Sequence, residues 1–284
     1  NSISYIYKTD ISCKNIDGIF LKLDYIMKKV SVIIPCYNQS QYLAEAVLSV
    51  LNSTYKNIEI IVVNDGSSDI STEDLRDLVP PGVTIINQEN LGVCTARNNG
   101  IKSSSGEYIL TLDADDKIAP TYIEMAVNIL NNNPQTGIVY CEHEFFGVKS
   151  RQHKIAFATM INMLIQNRIF SAAIFRRNLF DKVNGYKTDM EKGCEDWDFW
   201  LSIMETGADV YKIPEVLFFW RKSENERTQK ALKPLNYLKI RLSIIKHHRK
   251  LYSKYALIVY PVMFAMVVKN LLSHFYKSLK GGNK

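Results

Sequence analysis

The segment Tyr108-Ile-Leu-Thr-Leu-Asp-Ala-Asp-Asp116 joins an apolar run to three carboxylates. The apolar run has the composition of a buried β-strand. Alternation along an extended chain places Asp113 and Asp115 on one side, where both can reach one divalent cation or its ligands. Carboxylates this close repel one another, so they favour a cation or a polar ligand. The alternative is an acidic turn that caps a helix beginning near Ala119.

Three further segments resemble this strand and precede it at spacings of 25 to 28 residues. The four predicted strands begin near Val30, Ile58, Val83 and Tyr108. The sequence between them is compatible with helices, most clearly over Gln41–Leu51 and Val93–Lys102. Strands that alternate with helices at this spacing predict an α/β fold: a Rossmann-like, mostly parallel sheet flanked by helices.

Polar residues follow each predicted strand: Tyr37-Asn38, Asn64-Asp65-Gly66-Ser67, Asn87–Asn90 and Asp113–Asp116. In open parallel sheets, ligands bind beyond the carboxyl ends of the strands. Four polar strand ends therefore predict one ligand site rather than four unrelated turns.

The composition is that of a globular protein with one large core, or one core and a small appendage: 284 residues, 46% hydrophobic and 23% charged. The five cysteines are odd in number and widely spread, without a C-x-x-C pair. This pattern indicates a reducing compartment and argues against structural disulfides or a zinc site.

The charge is unevenly distributed. Residues 227–284 carry 13 of the 35 Lys and Arg and none of the 29 Asp and Glu. Lys239 to Lys254 interleaves cations with Ile, Leu and Tyr, as an interfacial amphipathic helix does. The uncharged run that follows is too short to span a bilayer and contains Pro261. We therefore predict a basic helical extension on a membrane surface; the alternative is a helical hairpin packed on the body. Nucleic-acid binding ranks lower, because few aromatics accompany the cations in a stacking pattern.

The first 26 residues show no secretory pattern and are interpreted as a non-native or upstream extension without an assigned role. Met27 runs directly into the first strand. The predicted organisation is then residues 1–26 as an extension, 27–226 as the catalytic domain and 227–284 as the basic tail.

No G-x-G-x-x-G follows the first strand and no P-loop motif occurs, so the usual phosphate cradles are missing. A metal-held diphosphate suits carboxylates without such a cradle. Five segments occur in the order seen in family 2 glycosyltransferases, which the chain resembles over roughly residues 30 to 222: Val32-Ile-Ile-Pro-Cys-Tyr-Asn38, Val63-Asn-Asp-Gly-Ser-Ser-Asp69, Asn90-Leu-Gly-Val-Cys-Thr-Ala-Arg-Asn-Asn-Gly100, Leu112-Asp-Ala-Asp-Asp116 and Glu195-Asp-Trp-Asp-Phe-Trp200.

This resemblance implies an inverting enzyme of the GT-A fold that uses a UDP-sugar. Asp65 would accept the imide N–H of a uracil base, and the backbone around Pro35 and Tyr37 would flank that base. Arg97 would face the nucleotide or its diphosphate. The remaining positions implied to bind the nucleotide-sugar are Asn38, Asp113, Ala114 and Arg221, with Asp113 at the ribose or at the water shell of the metal.

The resemblance makes Asp115 the direct ligand of Mn²⁺ or Mg²⁺, while Asp116 is interpreted as the cap of the next helix. Many relatives carry a histidine two residues after the arginine that matches Arg221. Here that position is Ser223, which leaves a third protein ligand in doubt.

The general base is implied to be Asp196, with Glu195 contacting the acceptor or orienting the site. Asp196 opens a predicted helix, whose dipole is expected to lower the pKa of the carboxylate. Trp197 and Trp200 are interpreted as core residues, with support of the pocket or binding of sugar faces as the alternatives.

The predicted function is sugar transfer to a lipid-linked or oligosaccharide acceptor in lipopolysaccharide, capsule or exopolysaccharide assembly, on the cytoplasmic face of the inner membrane. Two alternatives remain open: a non-catalytic membrane-associated nucleotide-sugar-binding module, and a phosphatase of the haloacid-dehalogenase type. The latter would place the Asp pair on the first strand rather than the fourth. The sugar, the acceptor linkage and the oligomeric state are not readable from the sequence.

Overall fold

The computed structural model describes residues 27–148, 151–190, 193–222 and 234–266. Its strands are β1 (Val30–Cys36), β2 (Ile58–Asp65), β3 (Thr84–Gln88), β4 (Tyr108–Thr111), β5 (Lys117–Ile118), β6 (Thr136–Gly147), β7 (Arg151–His153), β8 (Ile174–Arg176) and β9 (Asp209–Lys222). Its helices are α1 (Ser40–Leu51), α2 (Thr72–Asp77), α3 (Val93–Lys102), α4 (Tyr122–Asn132), α5 (Met160–Ile165), α6 (Arg177–Val183), α7 (Glu195–Glu205), α8 (Pro234–His247) and α9 (Arg249–Lys254). A short 3-10 turn covers Thr188–Met190.

The first four strands form the predicted parallel half of the sheet, in the order β3-β2-β1-β4. The predicted α1 and α3 are also confirmed, each within one residue of the expected bounds. The register brings the polar strand ends side by side, since Asn64 pairs with Asn87 and Asp65 with Gln88.

The second half of the sheet is mixed. β8 runs antiparallel to both β4 and β6, whereas β6 and β9 are parallel and β9 pairs antiparallel with β5. β7 pairs with β6 outside this path. Through its pairing with β5, the end of β9 lies beside this short strand, which follows β4.

Helices cover both faces of the sheet. Along β1, Val32 and Ile34 pack with α1 and α4, whereas Ile33 packs with α3 on the opposite face. Strands covered on both sides are expected to be apolar at successive positions, as β1 and β2 are. The core therefore holds the carboxyl ends of the parallel strands at one rigid edge.

The segment after Asp116 differs from the prediction. The short β5 comes first, and α4 begins at Tyr122 with Thr121 as its N-cap residue. Asp116 is therefore not the cap of that helix. It is 2% exposed, and its Oδ1 accepts a hydrogen bond of 2.8 Å from the backbone N–H of Arg221.

The described part of the basic tail packs against the body, as the helical-hairpin alternative proposed. Ile240, Ile244, Tyr252 and Val259 are buried in the same cluster as α5 and α7. The Tyr252 hydroxyl donates to the carbonyl of Leu164 at 2.7 Å. The opposite surface of the tail stays apolar and exposed, most strongly at Leu257 and Phe264, which are 93% and 70% exposed.

Candidate active site

Asp65 ends β2 at the carboxyl edge of the sheet and is 3% exposed. Its Oδ1 accepts from Gln88 Nε2 at 2.7 Å and from the N–H of Leu91 at 2.8 Å, and its Oδ2 accepts from the N–H of Gly92 at 3.0 Å. The carboxylate thus fixes the start of α3. Since Oδ2 accepts from one donor among the residues that the structure describes, it retains the capacity to accept another.

The turn after Asp65 depends on Gly66. Its φ is +70°, and a Cβ there would lie 2.7 Å from the backbone nitrogen of Asn90. Glycine is the residue type that fits such a turn without strain or a clash. This close approach holds the loops after β2 and β3 together.

The end of β1 lies beside this turn. Pro35 is buried within the strand, whereas Tyr37 is 46% exposed. Asn38 has a φ of 51°, and its Oδ1 accepts from the N–H of Ser68 at 2.7 Å. The loop is therefore tied to the β2 turn and presents the Tyr37 ring at the surface.

The carboxylates after β4 differ in their surroundings. Asp113 accepts hydrogen bonds from Arg97 at 2.6 Å and from the Ser171 hydroxyl at 3.2 Å, and Ala114 is fully buried. Asp115 is half-buried, and burial together with the charge of Asp113 raises its pKa to about 6. Its carboxylate would be stabilised by a cation.

Arg221 lies directly beside Asp115. Its Nε donates to the carbonyl of Asp115 at 2.9 Å, and its Nη2 pairs with Glu45. The guanidinium carbon is 4.4 Å from the ring centroids of both Tyr42 and Phe146. This arginine is thus held beside the carboxylates that follow β4.

A divalent cation fits the residues present. In the described ranges no three His, Cys, Asp or Glu side chains are grouped closely enough to hold a metal ion. Mg²⁺, however, is commonly bound by one or two carboxylates together with substrate phosphates and water. The half-buried Asp115, with its raised pKa, supplies one such carboxylate. Ser223, at the position where the family resemblance implies a histidine in many relatives, lies outside the described residues.

Arg97 has different partners from those predicted. It is 1% exposed rather than facing a nucleotide. Its Nη2 donates to Asp113 at 2.6 Å, and its Nη1 donates to Glu195 at 2.9 Å. One buried arginine therefore connects the carboxylates after β4 with the acidic pair that begins α7.

The acidic pair is presented by the first turn of α7, which follows Cys194 in the left-handed conformation. Glu195 is 7% exposed and turns toward Arg97. Asp196 is half-buried; its Oδ2 accepts from Asn167 Nδ2 at 2.9 Å, and its Oδ1 accepts from the N–H of Trp197 at 2.8 Å. The structure thus brings the carboxylates after β4 close to the Glu195-Asp196 pair, the two acidic groups that the sequence indicated as functional.

The predicted low pKa of Asp196 is wrong. Burial, and then the charge of Glu195, raise the pKa of Asp196 to about 7, although Arg97 and the hydrogen bond from Trp197 act in the opposite direction. Desolvation therefore outweighs the helix dipole here. A carboxylate with a pKa near neutrality is a better proton acceptor than one with its ordinary value.

Trp197 and Trp200 are both buried core residues, at 2% and 0% exposure. The Trp197 Nε1 donates to the carbonyl of Met163 at 2.6 Å. Neither ring is available to stack on a sugar.

Two residues of the site were missed by the sequence analysis: Asn167, which holds Asp196, and Ser171, which holds Asp113. Both lie in the irregular loop between α5 and β8, where no motif is readable. Their contacts span 29 and 58 residues of sequence. No local pattern encodes a pairing of that range.

Comparison with solved structures identifies the architecture as the GT-A fold of glycosyltransferases. Staphylococcus aureus TarS in complex with UDP-GlcNAc superposes with a TM-score of 0.64 at 20% identity, over 77% of this chain and 66% of that one. The mannosyltransferase PcManGT from Pyrobaculum calidifontis, in complex with GDP-Man and Mn²⁺, gives a TM-score of 0.56 at 18% identity, over 90% and 83% of the two chains.

The chain belongs to glycosyl transferase family 2, whose model matches residues 31–184. An uncharacterized glycosyltransferase of Rickettsia typhi is 36% identical over 217 residues, which cover 72% of this chain and 68% of the relative. The match thus spans about two thirds of that relative's length, and it spans 66% of the TarS 1–349 chain and 43% of a longer TarS chain. The phosphatase alternative is wrong, because the Asp pair follows β4 and the family is one of transferases.

Replacing Arg97 by methionine is expected to lower the free energy of unfolding by about 3 kcal/mol, because it leaves Glu195 buried and Asp113 partly buried without their shared cation. Urea unfolding followed by circular dichroism measures this loss. Arg76→Met, at an exposed position of α2, is the matched control. A loss below about 1 kcal/mol, as at exposed ion pairs, would contradict a buried bridging role.

Proposed function

We propose that the protein is an inverting glycosyltransferase that moves a sugar from a UDP-sugar to an acceptor hydroxyl. The observation that carries the proposal is the buried Arg97, which joins Asp113 to Glu195. It holds Asp113, on the proposed donor side, at a fixed position relative to the Glu195-Asp196 pair on the proposed acceptor side. An inverting transfer needs such a pairing of a leaving-group site with a base on the opposite side of the sugar.

The donor half of the proposal concerns the strand ends. Asp65 retains acceptor capacity on Oδ2 for the imide of a uracil base, and the exposed ring of Tyr37, with Pro35 and Asn38 beside it, flanks that position. Asp113 lines the approach to the sugar-diphosphate, whereas Ala114, which is fully buried, does not reach it. TarS, which binds UDP-GlcNAc and shares the fold, is consistent with a uridine nucleotide.

Asp115 would hold Mn²⁺ or Mg²⁺, and Arg221 lies beside it as a second positive charge for the diphosphate. When bound, such an ion stabilises the negative charge that develops on the departing UDP. PcManGT, which shares the fold, was solved with Mn²⁺. Arg97, in contrast, acts through the carboxylates that it holds.

The acceptor half concerns Asp196. Its carboxylate takes the proton of the acceptor hydroxyl while that oxygen forms a bond to the anomeric carbon and the bond from this carbon to the UDP oxygen breaks. Asn167 holds the Oδ2 of Asp196, which fixes the orientation of the base. Glu195, paired with Arg97, positions the first turn of α7 and contacts the acceptor.

The acceptor is proposed to be a lipid-linked saccharide in lipopolysaccharide, capsule or exopolysaccharide assembly, reached at the cytoplasmic face of the inner membrane. The support comes from the tail, whose described residues expose Leu257, Ile258 and Phe264 next to the cations of α9. An apolar surface with basic neighbours suits an anionic membrane. No helix in the described ranges is long and apolar enough to cross a membrane.

The stereochemistry of the first-formed sugar tests this function without a known acceptor. Water replaces the acceptor in slow donor hydrolysis, so an inverting enzyme supplied with an α-linked UDP-sugar releases the β-anomer first. Time-resolved proton NMR, faster than mutarotation, resolves the two anomers. Initial release of the α-anomer would contradict inversion by a single displacement.

The pKa of Asp196 predicts an acid limb in kcat/KM near pH 7. The base works only when unprotonated, and its pKa in the ligand-free protein is raised from 3.8 to about 7. The value of kcat/KM should therefore fall about tenfold per pH unit below this value. The pH profile of UDP release measures the limb. A limb that lies near pH 4, or that persists unchanged in the residual activity of Asp196→Asn, would show that another group is the base.

A further inference from the structure

Two arginines lie close to the Asn167–Asp196 pair and have no carboxylate oxygen within 4.0 Å among the described residues. Arg168 is half-buried in the loop after α5, and Arg241 is 8% exposed on α8. They come from different parts of the chain: Arg168 from the family domain and Arg241 from the tail. The proposed transfer, as argued above, uses neither of them.

Both arginines border the same turn, Met163–Arg168. The Arg241 Nη1 donates to the carbonyl of Ile165 at 2.6 Å, and its guanidinium carbon is 4.9 Å from the centroid of the Trp197 ring. The backbone N–H of Arg168 contacts the Met163 sulfur at 3.3 Å. Trp197 in turn binds the carbonyl of Met163 at 2.6 Å.

This turn also holds the proposed base. Asn167 immediately precedes Arg168 and binds Asp196, while Trp197, under the Arg241 guanidinium, immediately follows Asp196. A group bound at either arginine would therefore lie beside the turn that holds Asp196.

The two guanidinium groups are poorly compensated. The Arg168 Nε is buried and has no hydrogen-bond acceptor in the described part of the chain. Within the described ranges, Arg241, which is nearly removed from water, is offset by a carbonyl and by aromatic rings. Burying a charge in this way is costly without an anion. The planar donor fork of arginine matches phosphate oxygens in particular.

The helix that carries Arg241 also has an apolar outer surface. Leu238 and Leu242 lie one turn apart on α8 and are 54% and 56% exposed. On this helix, Arg241 would bind the phosphate of a ligand that also has a hydrocarbon chain, and Leu238 and Leu242 would contact that chain. A free phosphate would use only the arginines.

We propose that Arg168 and Arg241 bind the diphosphate of a prenyl-diphosphate-linked acceptor and so hold its sugar hydroxyl against Asp196. This assignment rests on the proposed function. It gives the tail helix α8 a direct part in acceptor recognition.

Binding of geranyl diphosphate to the full chain tests the proposal, with EDTA present so that no metal holds a diphosphate at Asp115. Isothermal titration calorimetry compares the native protein with Arg168→Gln, Arg241→Gln and Arg241→Lys. Arg249→Gln, at an exposed cation of α9, is the matched control. The affinity for UDP with Mn²⁺ is measured for every variant.

The expected result is binding that weakens about tenfold in Arg168→Gln and in Arg241→Gln, less in Arg241→Lys, and within about twofold in Arg249→Gln, since each lost group removes a charge-assisted hydrogen bond. UDP affinity should not change. Because the Arg168 side chain makes no hydrogen bond in the described structure, Arg168→Gln keeps the test valid if Arg241→Gln fails to fold.

Equal affinity in Arg168→Gln and the native protein would overturn the proposal, and so would equal weakening in Arg249→Gln. Inorganic pyrophosphate that binds as tightly as geranyl diphosphate would overturn the prenyl assignment. A protein that binds geranyl diphosphate in this way but releases no UDP from any donor would contradict the proposed function and leave the phosphate site standing.

Discussion

Asp196→Asn is expected to lower kcat by about 10²–10⁴-fold, the range that one positioned general base contributes. The amide keeps the shape of the side chain and can still contact Asn167, but it cannot take the acceptor proton. Donor binding should be unchanged, because Asp196 lies on the acceptor side of the Arg97 bridge. The loss should therefore appear in kcat and not in the donor KM.

The control for this change is Asp209→Asn, which alters an exposed aspartate at the start of β9. Its turnover and thermal stability should match those of the native protein. Full activity in Asp196→Asn would show that the base has been assigned to the wrong residue, whatever the role of Glu195.

Asp115→Ala is expected to abolish metal-stimulated turnover, with a loss of roughly 10²-fold or more, since the metal contributes several kcal/mol of charge stabilisation. Calorimetry of Mn²⁺ binding in the presence of UDP measures the underlying defect. The native protein should show metal-dependent UDP binding, and the variant should not.

Stability separates this functional loss from unfolding. The pKa of Asp115 is raised from 3.8 to about 6. An acid whose pKa rises on folding costs stability as the pH increases above its unfolded value. At pH 8 without metal, Asp115→Ala should therefore be at least as stable as the native protein. Asp77→Ala, at the exposed end of α2, is the matched control. A large drop in Tm together with intact metal-dependent UDP binding would assign Asp115 a structural role instead.

The parallel half of the fold was predictable because its signals are local. The β-branched runs at Val30, Ile58 and Tyr108 begin the strands where expected, and the third strand begins at Thr84, one residue after the predicted Val83. The polar residues after these strands meet because parallel strands end at the same edge. Local periodicity and topology together are sufficient for that conclusion.

The partners across the site were not predictable. Helical spacing places Arg97 on one side of α3, but it does not show that Glu195, 98 residues later, packs on that side. Asn167 and Ser171 reach the acidic groups from a loop without a readable pattern. The pKa of Asp196 was misjudged for the same reason, since the helix terminus is visible in the sequence and the burial is not.

The tail shows a third kind of limit. An amphipathic pattern predicts a helix with an apolar surface, and it does not state whether protein or lipid covers that surface. In the described tail, Ile244 and Tyr252 pack on the body while Leu257 and Phe264 stay exposed. Packing on the body therefore accounts for one side of this segment, and the membrane-surface interpretation stays a prediction for the other side.

The most direct test of the central claim is UDP release from a panel of UDP-sugars, measured with Mn²⁺ and with EDTA for the native protein, Asp115→Ala and Asp196→Asn in parallel. We expect metal-dependent UDP release from at least one donor, and a fall in that release of at least about 10²-fold in both variants. Metal-independent release, or release that both variants retain, would contradict the central claim.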